Sequence, residues 1–151
     1  MNWLTQLPCT PEGIVYVLKK ELGNLEGKTA LIIGRGELVG RPLFDMLLNE
    51  SCTVTMAHSK TQNLDTMLTA YDIIVVAVGK PNLIDLSKCN AQIVVDVGVN
   101  KVDGKLCGDC FNFNEEINEG MLVTPVPKGI GLMTRAMLMK HIGEVNKKEG
   151  G

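Results

Sequence analysis

Ala30 to Ile33 is a short, wholly apolar run that empties into Gly34-Arg35-Gly36-Glu37-Leu38-Val39-Gly40-Arg41-Pro42, and few architectures accommodate that succession. An apolar run with no polar face reads as a strand buried on both sides, as in a parallel sheet covered by helices. Gly34 permits the tight turn at its end, Gly36 lets backbone approach a ligand where a Cβ would collide, and Gly40 lets the next helix sit close to the sheet. That helix directs unpaired N–H groups and the positive end of its dipole at the loop, so a pyrophosphate is the natural occupant. The spacing is G-x-G-x-x-x-G, one residue longer than the commonest dinucleotide fingerprint, and taken alone it is also compatible with a plain strand-to-helix turn.

Strand and helix signals alternate along the rest of the chain. Thr10-Pro11-Glu12 combines an N-cap hydroxyl, a proline at the first helical position and an acid in the first turn. Ile14, Val15, Leu18 and Leu22 then mark one apolar face, and Gly23 closes the helix. Pro42 falls in the first turn of a second helix running to about Asn49, with Leu43, Met46 and Leu47 inward. Thr53 to Ala57, Asp72 to Val78, Gln92 to Val97 and Met121 to Thr124 read as further strands, and Val102 to Lys105 as a hairpin turn on its Asp-Gly pair. Asn63 to Ala70, Asp85 to Cys89 and Asn112 to Glu119 read as short helices, and Leu132 or Met133 to about Val145 as a closing helix with Met133, Met137 and Leu138 facing the core. Strands that finish at Gly34, Gly79 and Gly98 bring their ends to one sheet edge, where open α/β folds bind ligands. The expected fold is α/β, a Rossmann-like doubly wound, mostly parallel sheet flanked by helices on both faces. With 151 residues and 45% hydrophobic content, residues 1–151 make one core and are too few for two full domains.

The second strand ends in His58-Ser59-Lys60-Thr61. Dinucleotide sites specific for an unphosphorylated ribose carry an acid at this point, while a cation there accommodates a 2′-phosphate. Ser59, Lys60 and Arg35 therefore form a candidate 2′-phosphate pocket and favour NADP, with NAD possible; the competing reading is that Arg35 and Lys60 are solvated surface charges. His58 belongs to the adenosine end of such a site, which makes it a poor acid or base at a nicotinamide. Thr124-Pro-Val-Pro-Lys-Gly-Ile-Gly131 mixes rigid prolines with permissive glycines and reads as a shaped binding loop.

Cys107-Gly-Asp-Cys110 invites a metal or redox reading, but no second Cys/His pair stands at a suitable spacing, so no metal is assigned and Asp109 reads as a turn residue. The five cysteines are expected to stay reduced, Cys52 in the core and Cys9 in a loop. A net charge of -2 and the lack of a Lys/Arg stripe argue against nucleic acid as a partner. No leader-like apolar segment follows Met1 and no run approaches the ~18 apolar residues of a spanning helix, so a soluble, unprocessed, cytoplasmic protein with no membrane partner is expected.

Pro8-Cys-Thr-Pro-Glu-Gly13, Gly34 to Pro42, His58-Ser-Lys-Thr61, Ala77-Val-Gly-Lys-Pro81, Asp96-Val-Gly-Val-Asn100 and Thr124-Pro-Val-Pro127, in this order, resemble the C-terminal half of methylenetetrahydrofolate dehydrogenase/methenyltetrahydrofolate cyclohydrolase. The resemblance runs from about Pro8 to Val145. It implies an NADP-binding domain in which Gly34, Arg35 and Gly36 hold the pyrophosphate and 2′-phosphate, Ser59 shares the 2′-phosphate, and Val99 offers backbone contact to the cofactor. Pro127, Lys128, Gly129, Ile130 and Gly131 would face the folate across a cleft, and a homodimer is the implied partner. The chain departs from the family pattern at Gly36, where a Ser is usual, at Lys128, which replaces a Gly, and at Leu132, which replaces a Pro. The family's N-terminal folate domain, with its catalytic lysine, glutamine and aspartate, is expected to be absent, so no catalytic residue is assigned here. The implied function is to hold the nicotinamide for hydride transfer from methylenetetrahydrofolate; the alternative is a free-standing, catalytically inactive dinucleotide-binding or regulatory module.

Overall fold

Apolar runs without a polar face become central strands because neither face meets water. In the structure, a computed structural model that describes residues 10–98 and 100–124, the strands are β1 (Thr29–Ile33), β2 (Thr53–Ala57), β3 (Ile73–Val76), β4 (Ile84–Asp85), β5 (Ile93–Asp96), β6 (Asn100–Val102), β7 (Lys105–Cys107), β8 (Cys110–Phe111) and β9 (Leu122–Thr124). Five of them form one sheet in the order β2-β1-β3-β5-β9, with every neighbouring pair parallel. β3 and β5 are buried at every residue and β1 at all but its first, whereas β2 at the edge is mostly half-buried. The register sets Ile33 level with Ala57 and Val76, and Val76 level with Asp96, so the loops that follow these four strands open on one edge.

Three α-helices are described: α1 (Pro11–Leu22), α2 (Gly40–Asn49) and α3 (Leu64–Met67). α1 starts as its sequence requires, with Thr10 Oγ accepting from the Gly13 amide at 3.1 Å, and it ends where the Gly23 amide donates to the Lys19 carbonyl. Alternate residues of each strand then sort to opposite faces. Ala30, Ile32, Ile73, Val75, Ile93 and Val95 pack against Ile14, Val17 and Leu18 of α1 and Leu43 and Leu47 of α2. On the other face Leu31, Ile33, Ile74, Val76 and Val94 meet Leu68, Ile84, Leu86, Cys89 and Met121. Burial of about a dozen large aliphatic side chains across two faces supplies most of the driving force for the fold, each contributing roughly 1.5–3 kcal/mol against chain entropy.

The second face carries less helix than its sequence promises. Asn63 to Ala70 contracts to α3, because Asn63 adopts a left-handed backbone at φ 58° and the Thr66 hydroxyl donates back to the Asn63 carbonyl at 2.7 Å. Asp85 to Cys89 forms a single 3₁₀ turn, Leu86–Lys88, with the Asp85 carboxylate accepting from the Ser87 amide at 3.0 Å. Asn112 to Glu119 is not a helix: Asn114 Oδ1 takes the amides of Glu116 and Ile117, and Asn118 Nδ2 reaches the Leu86 carbonyl at 2.8 Å. Short polar side chains have outcompeted the backbone ladder there. The Asp103-Gly104 turn does close a hairpin, β6 against β7, with both residues at positive φ.

Cys52 is buried, as expected. Among the described residues no helix is long and apolar enough to cross a membrane. Cys9, Val99, the 127–131 loop and the closing helix expected near 132–145 lie outside the described residues.

Candidate functional site

From β1 the chain crosses to β2 on one side, and from β3 it proceeds to β5 and β9 on the other. Loops leaving neighbouring strands in opposite directions open a crevice between them, and the β1/β3 boundary is that switch point. A cleft of about 370 Å³ lies there, lined by Gly36 to Gly40 after β1, Ala77 to Gly79 after β3, and Val97 with Gly98 after β5.

The loop after β1 is packed backbone on backbone. Gly34 sits at φ +122°, and a β-carbon on it would run into the Ala77 carbonyl; a β-carbon on Gly40 would run into the carbonyl of Gly34. Gly36 differs, since among the described residues no atom beyond its chain neighbours lies within 4 Å of the place its β-carbon would take. Gly34 and Gly40 are dictated by the fold, while no packing among the described residues requires a glycine at Gly36. α2 begins at Gly40 behind Val39, which makes no side-chain cap hydrogen bond, and no acid stands in the first turn. The Arg41 amide is already taken by the Gly36 carbonyl and Pro42 has no N–H, so for an anion this helix start offers the Gly40 amide and the positive end of its dipole. Arg35 is exposed above the loop. Arg41, which sequence reasoning passed over, braces the loop: its Nε donates to the Arg35 carbonyl at 3.0 Å and its amide to the Gly36 carbonyl at 2.9 Å.

Beside this loop, tied to it by the Gly34 amide donating to the Ala57 carbonyl at 2.8 Å, stands the turn after β2. His58 and Thr61 close it, through His58 N to Thr61 Oγ1 at 2.8 Å and Thr61 N to the His58 carbonyl at 3.0 Å. Ser59 and Lys60 occupy its exposed apex. The turn brings them to the strand end adjacent to Arg35, so the three candidate 2′-phosphate groups lie on neighbouring loops. His58 Nδ1 accepts from the Lys60 amide at 3.1 Å, which commits that ring nitrogen to the turn.

At the ends of β3 and β5 the structure shows a pair of buried carboxylates whose joint role was not legible in the sequence. Asp96 Oδ1 accepts from the amides of Gly98 at 3.1 Å and Asp109 at 3.0 Å, and its Oδ2 from the Cys110 amide at 2.8 Å. Burial pushes the Asp96 carboxyl above its ordinary range and the neighbouring Asp109 adds to this, while the three amides pull the other way. Asp109 is not a local turn residue as expected from Cys-Gly-Asp-Cys; its fully buried carboxylate holds the loop after β3. Burial also pushes the Cys110 thiol well above its usual value, which leaves it a poor nucleophile. An acid inside a strand as apolar as Ile93–Asp96 is the signal that points to this network, because such a group must find donors.

With this geometry in hand, the chain matches the family model described as tetrahydrofolate dehydrogenase/cyclohydrolase, NAD(P)-binding domain, over residues 8–150. It is 45% identical over 137 residues to the bifunctional protein FolD of Clostridium perfringens strain SM101, covering 90% of this chain and 49% of that protein. To the FolD of Bacillus cereus strain G9842 it is 46% identical over 149 residues, 97% of this chain and 51% of that protein. The chain thus spans about half the length of the curated relatives it matches. Among solved structures, the methylenetetrahydrofolate dehydrogenase/cyclohydrolase FolD of Campylobacter jejuni superposes with a TM-score of 0.72 at 40% identity, over 97% of this chain and 55% of that one. The Trypanosoma brucei enzyme, solved with NADP and an inhibitor, superposes with a TM-score of 0.69 at 31% identity, over 95% of this chain and 52% of that one.

Proposed function

The chain belongs to the tetrahydrofolate dehydrogenase/cyclohydrolase NAD(P)-binding domain family, and from that membership we propose that it holds NADP for hydride transfer in one-carbon folate metabolism. The observation that carries the reading is a backbone-packed glycine loop at the start of α2 on the switch point, with the Ser59-Lys60 turn at the neighbouring strand end. When bound, the coenzyme would supply the acceptor for hydride from the one-carbon bridge of methylenetetrahydrofolate. In this reading the loop Gly34 to Gly36 and the positive end of the α2 dipole seat the pyrophosphate. Arg35 and Ser59 grip the 2′-phosphate, with Lys60 contributing field. Glu37 also lines the cleft, but it is exposed and its repulsion is screened by solvent.

The remaining assignments extend the same proposal. The Val99 backbone contacts the coenzyme beyond Gly98, and Pro127, Lys128, Gly129, Ile130 and Gly131 face the folate across the cleft. Folate is engaged together with a catalytic domain of the kind that makes up the other half of the bifunctional relatives, which also provides the cyclohydrolase step. The protein works as a cytoplasmic homodimer.

Calorimetric titration of the purified chain with NADP and with NAD tests the proposal. Saturable binding with a clear preference for NADP is expected. Failure to bind either coenzyme at millimolar concentration would overturn the coenzyme reading, and equal affinities would overturn the 2′-phosphate pocket.

A further inference from the structure

The amides of Val78, Gly79 and Lys80 are consecutive, and all three are aimed at one carboxylate. Val78 and Gly79 donate to Asp109 Oδ2 at 2.8 and 2.9 Å, and Lys80 donates to Oδ1 at 2.9 Å. Asn100 Nδ2 adds a further donor to Oδ1 at 2.9 Å. Asp109 is wholly shielded from solvent, and its own amide is anchored on Asp96 at the end of β5. Gly98 completes the fit, because a β-carbon there would overlap the Asp109 carboxylate. Successive amides converging in this way are how a backbone holds an anion. The loop after β3 is therefore an anion site that the protein has filled with its own side chain.

We propose that Asp109 is a positioning residue that determines where along the cleft the coenzyme's charged groups can sit. The inference rests on the coenzyme reading given above. With the amides of Val78, Gly79 and Lys80 consumed, the loop after β3 offers the pyrophosphate no donors, and the edge formed by Ala77, Val78 and Gly79 is left as an uncharged wall. That wall lies across the switch point from the Ser59-Lys60 turn, so it faces the nicotinamide half when the adenosine half occupies the turn. A carboxylate can serve all four donors. A carboxamide cannot, since its NH₂ group would meet an N–H it has no lone pair to accept.

The test titrates the wild-type chain, Asp109→Asn and Asn100→Ala with two ligands: NADP, and 2′,5′-ADP, which carries the adenosine and 2′-phosphate but no nicotinamide. In Asp109→Asn, NADP affinity should fall about ten-fold while 2′,5′-ADP stays within about two-fold of wild type. Asn100→Ala removes one donor and should show the same pattern at about three-fold. A thermal melt establishes which variants are folded; if Asp109→Asn does not fold, Asn100→Ala carries the test. Equal losses for the two ligands, or no loss of NADP affinity, would overturn the positioning role. Wild type that binds neither ligand would instead overturn the coenzyme reading beneath it.

Discussion

Gly40 stands so close to Gly34 that a β-carbon on the first would overlap the carbonyl oxygen of the second. The first residue of α2 is thus in backbone contact with the first residue after β1, and Gly34 in turn presses on the Ala77 carbonyl at the end of β3. Helix start, loop and strand end are stacked without side chains between them. This stacking brings the start of α2 to the switch point, and it makes two of the three loop glycines structural requirements in the unliganded protein.

Stability measurements separate these glycines. Gly34→Ala and Gly40→Ala should each lose about 2–4 kcal/mol in urea unfolding, because backbone atoms cannot move aside as a flexible side chain would, and Gly34 adds the strain of its positive φ. Gly36→Ala should stay within about 0.5 kcal/mol of wild type. A Gly40→Ala variant as stable as the parent would show that the loop and helix are not packed as described.

Because the space beside Gly36 is open, the position also accepts a hydroxyl. Gly36→Ser should leave the melting temperature unchanged and tighten NADP by about 0.5–1.5 kcal/mol through one added hydrogen bond to the coenzyme. Isothermal titration of the two proteins decides the point. Weaker binding by the serine variant would mean that the ligand itself fills that space.

Arg35 should discriminate between coenzymes. Arg35→Ala removes a charge-assisted contact to the 2′-phosphate and should weaken NADP by about 1.5–3 kcal/mol, with a much smaller effect on NAD. Parallel titrations check it. Equal losses would place Arg35 on a phosphate common to both coenzymes. Arg41 gives a second arm: its Nε supports the Arg35 carbonyl, so Arg41→Ala should weaken NADP through the loop, by less than Arg35→Ala.

The strand centres were legible because burial on both faces leaves no room for a polar residue, and Leu31, Ile74 and Val94 announce that directly. Strand ends were less so. Asp72 reads as the start of β3, yet its carboxylate is spent on the Thr29 amide at 3.1 Å, a partner that only the sheet brings near. That Gly34 and Arg35 follow β1 and Ser59 follows β2 was legible, since strand ends are local. The grip of Asp109 on Val78, Gly79 and Lys80 was not, because its partners lie 29 to 31 residues away and become neighbours only when β3 and β5 pair. The helical signal in Asn63 to Ala70 gave a shorter helix and that in Asn112 to Glu119 none, for a different reason: Thr and Asn side chains offered the backbone other partners within three or four residues.

Asp96 gives the network a pH signature whose sign can be worked out. Burial raises its carboxyl above the ordinary value in the folded protein, with Asp109 reinforcing the shift. A folded-state value above the unfolded one means that folding favours the proton, so Asp96 imposes no penalty at low pH. The penalty grows as pH rises from about 4, the ordinary carboxylate value, through the raised one. Asp96→Asn carries no such charge, but it loses an acceptor for one of the amides of Gly98, Asp109 and Cys110 and should be destabilised by about 1–3 kcal/mol. The stability gap between wild type and variant should therefore narrow as pH rises above the ordinary carboxylate value of about 4 in urea unfolding. A gap that widens instead would mean that the three amides outweigh burial and hold Asp96 ionised.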